Sequence, residues 1–256
     1  MFYRFTQSGA RIAIDLDGLY RDQALFLLGG APSLADQPLH LLRQEGVVSM
    51  AMNNVPYVFS RPNLWVALDK PVCFSPHVYL DPSITKFTMI SRRNEPVSDT
   101  GKTVSQCPNL FMFGASENVH PKSFLKPGRD FVWWKSVFPV ALQVAWRLGF
   151  RTVYLAGCGF HMQPKSQYAW ETTLTDEQRS WSQRTYDDDL GRLEKLLPAF
   201  KTEGFRVVSC TEGSRANAIL DYLPLEEAVD RVTSALPTHA VSKELRHSSE
   251  ASKKPS

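Results

Sequence analysis

The residues best suited to chemistry fall at the ends of short apolar runs. Gly29, Gly30 and Ser33 follow the run 24–28, Asn53 and Asn54 end the run 47–53, and Asp69 ends 63–69. Gly157 and His161 follow 152–156, and Ser214 with Arg215 follows 205–210. In an open parallel sheet the carboxyl ends of the strands lie along one edge, and ligands bind there. Asparagine amides, a serine hydroxyl, glycine turns and one carboxylate suit the phosphates, ribose and base of a nucleotide. Ser136 joins them if the helix it opens turns its N-terminus toward the same crevice.

Each of these residues also has an ordinary structural reading. Gly29-Gly30-Ala31-Pro32-Ser33 reads as a phosphate-cradling strand-to-helix turn, and equally as a tight turn without a ligand. His161 is the candidate general acid or base, because histidine alone titrates near neutrality when unperturbed. Tyr154 adds a phenol if its side chain faces the crevice. Asp69 could bind Mg²⁺ or ribose hydroxyls, or cap a helix. Tyr168 and Trp170 could cover a bound sugar. The run Asp187-Asp188-Asp189 reads as a solvated helix face, since consecutive helical residues point about 100° apart. Neither G-x-S-x-G nor H-E-x-x-H occurs.

The elements that must position these groups are legible as a pattern. Runs at 24–28, 47–53 and 63–69 are short and apolar on both faces, as in strands of a parallel sheet. The first leads into a helical pattern ending near Glu45. Residues 11–17 alternate, which predicts a half-exposed strand or hairpin. Further strands are expected at 87–90, 109–113, 152–157 and 205–210. A helix is predicted from Ser136 to Gly149, with Pro139 in its first turn and glycine closing it. Another spans Asp176 to about Thr202, with Gly191 and Pro198 as possible interruptions, and a short one spans 225–236. This order predicts an α/β fold, a Rossmann-like doubly wound, mostly parallel sheet. One domain should cover 1–236, with a lid-like insertion around 92–135 and a disordered tail at 237–256.

Composition narrows the classes. With 256 residues, 43% hydrophobic and 21% charged, the chain can bury a substantial core. A net charge of +3 is too small to demand nucleic acid as partner. No apolar run approaches the roughly 20 residues of a membrane span. The N-terminus lacks a signal-peptide core, and four cysteines without C-x-x-C spacing argue against a zinc site. Cytoplasmic localisation is therefore expected.

Gly29-Gly-Ala-Pro-Ser-Leu34 resembles the G-x-G-P-S-L opening of bacterial lipooligosaccharide sialyltransferases and of 6-hydroxymethylpterin pyrophosphokinase-like proteins, many of the latter in phages. Asn53 matches the asparagine that ends the second strand in both groups, and Asp69 resembles an acidic strand end in the second. Residues 141–157 resemble the signature A-x-x-x-A-x-x-L-G-x-x-x-I-Y-L-x-G-x-D. Ser136 aligns with a serine or threonine that contacts the nucleotide-linked substrate in the sialyltransferases. Residues 210–217 and 224–228 resemble the closing segment of the pyrophosphokinase-like group. The chain departs from the pattern at Gly30, where the family has asparagine, and at Gly159, where it has aspartate. The sialyltransferases' catalytic histidine has no clear counterpart.

The resemblance implies a Rossmann-like fold and an enzyme acting on a nucleotide-activated donor. The leading expectation is a glycosyltransferase that moves a sugar from a nucleotide sugar to a hydroxyl of a surface glycan or a modified nucleic-acid base. No tightly bound cofactor is expected, Mg²⁺ is possible, and a homo-oligomer is possible. In that reading His161, Asp69 and Tyr154 are catalytic. Gly29, Gly30, Ser33, Asn53, Asn54, Ser136, Gly157 and Ser214 bind the nucleotide. The alternatives are a pyrophosphokinase with Mg²⁺ on Asp69, and a nucleotide-binding protein without catalysis.

Overall fold

Runs such as Ala24–Leu28 and Val48–Met52 carry no polar alternation, so only a sheet covered on both faces can bury them. The computed structural model describes residues 1–6, 8–116, 124–126, 130–163, 167–170 and 172–235, and builds that sheet. In chain order the elements are β1 (Phe2–Phe5), β2 (Arg11–Ile14), β3 (Ala24–Leu28), β4 (Val48–Met52) and β5 (Leu64–Val66). Then come α1 (Pro76–Leu80), β6 (Thr85–Met89), β7 (Leu110–Phe113), β8 (Ala115–Ser116) and β9 (Phe131–Val132). The last are α2 (Val137–Leu148), β10 (Thr152–Ala156), α3 (Asp176–Thr202), β11 (Arg206–Ser209) and α4 (Leu225–Ser234).

The main sheet runs β11-β10-β3-β4-β5-β6-β7-β1-β2. From β11 to β7 every pairing is parallel, and the β1–β2 hairpin closes the far edge antiparallel to β7. Strand order reverses at β3, which has β4 on one side and β10 on the other. Helices α2 and α3 cover one face, through residues such as Val144, Leu193 and Phe200 against Leu25, Leu27, Val153 and Leu155. Helices α1 and α4 with several single-turn segments cover the other, against Phe26, Leu28, Tyr154 and Ala156. The doubly wound α/β class expected from the sequence is the one observed.

Two local expectations are corrected. The stretch after Gly30 is not an α-helix but two 3-10 segments, Pro32–Leu34 and Leu39–Arg43, with Pro38 between them. Helix α3 runs unbroken through Gly191 and Pro198, because its buried residues Asp189 and Leu193 flank the first, Leu196 and Phe200 flank the second, and together they hold it to the core. Within the expected insertion around 92–135, residues 110–113 form the expected strand, β7, and Val97, Val104 and Cys107 are buried. Strand β1 is not among the strands expected from the sequence, and it brings the Phe2 ring to 5.2 Å from that of Phe87. Residues 117–123 and 127–129 of the expected lid, and the expected tail at 237–256, lie outside the described residues. Among the described residues no helix is long and apolar enough to cross a membrane.

The ends of β3 and β10 meet at two glycines. Gly29 donates to the Ala156 carbonyl and Ala31 to the Gly157 carbonyl, each at 2.8 Å. A Cβ on Gly29 would lie 2.6 Å from the Gly157 oxygen and 2.7 Å from Cys158 Sγ. Gly157 has φ +62°, and a Cβ there would lie 2.7 Å from the Gly29 oxygen. Gly29 thus serves backbone against backbone. Gly29→Ala should destabilise the fold by about 1–3 kcal/mol, read as a lower urea midpoint with an unchanged m-value.

Candidate active site

A cleft of about 530 Å³ opens at the carboxyl ends of β3, β4 and β10, at the point where strand order reverses. Its floor is the glycine crossing, and Asn53, Asn54 and Asp69 stand along one side. The N-terminus of α2 and the first half of α3 form the opposite wall. Tyr168 and Trp170 close the top as a parallel pair, with ring centroids 4.9 Å apart. Gly30 makes room for that pair. A Cβ there would come within 2.6 Å of the Trp170 ring, and the Gly30 carbonyl accepts from the Ala169 N–H at 3.0 Å.

Several cleft residues hold conformations that side chains rarely adopt. Asn53, Lys135 and Phe160 have φ of +48°, +60° and +54°. Asn53 is fixed from behind: its N–H donates to Val66 and its carbonyl accepts from Trp65 Nε1. Its side-chain oxygen is buried with no hydrogen-bond partner in the protein. Phe160 is wedged between Phe138 and Tyr186 with its ring edge-on to both.

The best-defined polar contact joins α2 to α3. Ser136 caps α2, its Oγ accepting from the Phe138 N–H at 3.3 Å, and donates to Asp189 Oδ2 at 2.6 Å. Asp189 is 4% exposed, and its Oδ1 has no hydrogen-bond partner. The Arg192 guanidinium is 3.9 Å from Oδ1 and also reaches Asp188 and the Trp134 carbonyl. Burial pushes the Asp189 carboxyl up to about 7, although Ser136 and Arg192 pull the other way. Burial likewise holds Tyr186, one turn earlier on α3, well above an ordinary phenol, so it is a neutral donor.

His161 lines the cleft with Nδ1 3.0 Å from the Gly159 carbonyl. A carbonyl only accepts, so Nδ1 donates in this contact and Nε2 is left free for a ligand. The turn after β11 braces this loop. Ser214 donates to the Cys158 carbonyl at 2.6 Å, Thr211 Oγ1 accepts from the Cys158 N–H, and Arg215 binds the Phe160 carbonyl and Asp187.

The structure therefore brings Gly29, Gly30, Asn53, Asn54, Asp69, Ser136, Gly157 and His161 to one cleft. Three other residues do not join them. Tyr154 points to the opposite sheet face, because side chains alternate along β10; it stacks on Phe26 at 5.1 Å and lines a separate hollow with Arg206 and Arg231. Ser33 sits in the Pro32–Leu34 turn outside the lining, and Ser214 is buried behind the His161 loop. Asp69 is exposed, and no group of three or more His, Cys, Asp or Glu among the described residues could hold a metal.

The sequence reading passed over α3. Asp187 and Asp188 are solvated as expected, but Asp189 is not. Ser182, Tyr186, Asp189, Leu193, Leu196 and Phe200 recur every three or four residues and form the helix's inner face. That periodicity was the available signal. Two further hollows adjoin the cleft. One of about 850 Å³ lies past Asn54, where Arg43 already covers Phe59 and Arg61 pairs with Asp81. One of about 600 Å³ lies past Lys135 and Trp181, and holds Arg184 and Arg192.

The Asp189 shift has a definite sign for stability. Between the unfolded carboxyl value of about 3.9 and about 7, the folded chain keeps a proton that the unfolded chain has released. Stability from this group is therefore lost as pH rises through that window, opposite to an ion-paired carboxylate. Relative to wild type, Asp189→Asn should gain on the order of 2–4 kcal/mol between pH 4 and pH 7.5, measured by urea unfolding.

The chain matches no family model and none of the curated proteins. Two solved structures are similar to it at low identity. The sialyltransferase CstII from Campylobacter jejuni, in complex with a substrate analogue, cytidine-5'-monophosphate, is 16% identical with a TM-score of 0.48, covering 80% of this chain and 86% of that one. The MAf glycosyltransferase from Magnetospirillum magneticum AMB-1 is 14% identical with a TM-score of 0.49, covering 83% of this chain and 35% of that one.

Proposed function

We propose that the chain is a glycosyltransferase that binds a nucleotide-activated sugar in the cleft and transfers the sugar to a hydroxyl acceptor. The observation that carries this is the cleft's composition. Hydrogen-bonding and ionisable side chains (Asn53, Ser136, His161, Asp189) line its depth, and the stacked Tyr168–Trp170 pair forms its roof. Aromatic faces suit sugar and base rings, and amides suit ribose and base edges. The N-terminus of α2, with Lys135 beside it, offers positive potential to the phosphate. In the reaction the acceptor oxygen bonds to the anomeric carbon while the bond from that carbon to the phosphate oxygen breaks. The electron pair leaves with the nucleoside phosphate, and His161, protonated on Nε2, donates to the phosphate oxygen that departs.

The acceptor reaches the cleft through the hollow beyond Lys135 and Trp181. Its lining of Trp134 and Trp181 with Lys135, Arg184, Arg192, Asp187 and Asp188 offers aromatic faces and charged hydrogen-bonding groups of both signs to a glycan's rings and hydroxyls. Pyrophosphoryl transfer finds less support, because Asp69 is exposed at the mouth without grouped ligands among the described residues.

Melting temperature measured with CMP-, UDP- and GDP-linked sugars tests the donor site. A ligand at 100 times its Kd should stabilise the protein by about 2.7 kcal/mol. One nucleotide class should raise Tm and the others should not; no rise with any of them would refute the proposal. With the donor found, His161→Ala should lower kcat by about 10²–10⁴-fold and leave donor Kd unchanged.

A further inference from the structure

We infer that β2 is a dimer edge, on which a second copy of this chain pairs antiparallel about Ala13 so that the two main sheets become one. The inference does not depend on the glycosyltransferase reading, because β2 lies at the far end of the sheet from the strands that carry the cleft.

The two edges of the main sheet are finished differently. At β11 the chain returns on itself: Ser209 donates to the Asp221 carbonyl and Leu223 donates to the Ser209 carbonyl, both at 2.9 Å. Beyond β2 the sheet has no further strand among the described residues. The hairpin register tells which backbone groups of β2 face outward. The Thr6 N–H bonds the Ala10 carbonyl, and Thr6 stands opposite Ala10 in the register that pairs Phe5 with Arg11. Hydrogen-bonded and non-bonded pairs alternate along an antiparallel ladder. Ile12 and Ile14 therefore bond to β1, while the N–H and C=O of Arg11 and Ala13 point away from the sheet. Open edges are commonly blunted by lysine, proline or a bulge. Residues 11–16 contain neither lysine nor proline, the pairing with β1 is regular over all four residues of β2, and Ile12 is 46% exposed.

This edge is complementary to itself when reversed. Setting Ala13 opposite Ala13 of the second copy sets Ile12 opposite Ile14 and Arg11 opposite Asp15, each twice. The outward groups of Ala13 then bond each other across the axis, and those of Arg11 bond the backbone of Asp15. Ile12 and Ile14 lie on the sheet face of Phe2, so four isoleucines meet there. Arg11 and Asp15 lie on the other face. In the single chain the Arg11 guanidinium rests 4.7 Å over Tyr3, and Asp15 Oδ1 accepts from the Asp17 N–H, which leaves Oδ2 for the arginine of the second copy. Exposed ion pairs add little affinity, so their effect is on register: centring the pair on Arg11 or Asp15 instead would set like charges opposite each other. The two-fold axis stands perpendicular to the sheet, so the second copy's strands run reversed and the two clefts open toward opposite edges of the joined sheet.

The test is sedimentation velocity of the full chain over about 1–200 µM, with Tm recorded for every variant. Wild type should form a concentration-dependent dimer. Ala13→Pro should weaken it by about tenfold or more and leave the monomer folded, because the lost N–H faces outward and proline is tolerated on that side of an edge strand. Arg11→Glu and Asp15→Arg should each weaken it by about tenfold, since each sets like charges opposite each other. An equimolar mixture of those two variants should dimerise about as well as wild type, because both 11–15 pairs across the mixed dimer are again of opposite sign. A wild type that stays monomeric throughout overturns the inference. So does a dimer that folded Ala13→Pro leaves intact, which would put the contact on another face. A mixture that dimerises no better than its components also overturns it, by removing the register about Ala13. Should Ala13→Pro not fold, the mixture alone decides.

Discussion

The contact between Gly29 and Gly157 is the constraint on which the cleft depends. Two parallel strands lie about 4.8 Å apart, and at their ends the chain must turn in opposite directions to begin two separate crossovers. Here the two turns pass backbone against backbone, with Ala31 bonded to the Gly157 carbonyl and Gly29 to that of Ala156. Any side chain at either glycine would hold the turns apart. Their closeness leaves a hollow above them, bounded by whatever the neighbouring strands and helices present. The same crossing sets the height of the His161 loop, which Ser214, Thr211 and Arg215 then brace from behind.

How much of this was legible depends on which physical signal each residue carried. Buried parallel strands announce themselves as apolar runs, and β3, β4, β10 and β11 lie where those runs are. Helix α2 carried a serine cap, an early proline and a closing glycine, and it begins and ends there. The segment after Gly30 misled because Pro32 fits the first turn of either an α-helix or a 3-10 turn, and Pro38 then stops the α-helix from growing. Tyr154 misled for another reason. A residue inside a strand keeps the face that alternation assigns to it, whatever its distance from the strand end, and its neighbours Val153 and Leu155 took the α2 side.

Asp189 shows a different limit. Counting three consecutive aspartates suggested solvent, which is right for the first two. The phase of Leu193, Leu196 and Phe200 places the third on the inner face, so hydrophobic phase outranks local charge density when the two conflict. Gly30 is the converse. The absence of a side chain there reads in sequence as a lost ligand contact. In the structure the Trp170 ring occupies the space that such a side chain would fill, within 2.6 Å of its Cβ. The floor at Gly30 is bare backbone, and the space above it belongs to the aromatic roof.

Several unfavourable features meet in the cleft, although others, such as left-handed Asp22, Ser98 and Asn109 and the orphan hydroxyls of Tyr79 and Thr88, lie elsewhere. The left-handed backbone at Asn53, Lys135 and Phe160, the orphan oxygen of Asn53, and the half-satisfied carboxyl of Asp189 all line the same cleft. Each costs folding free energy of order 1–3 kcal/mol, and none stabilises the apo chain. What holds them is the packing behind: Trp65 and Val66 grip the Asn53 backbone, Phe138 and Tyr186 clamp Phe160, and the α2 cap anchors Ser136 beneath Asp189. The strain at the cleft is therefore held by the core packed behind it, and the shape of the cleft is set by that packing and not by contacts within it.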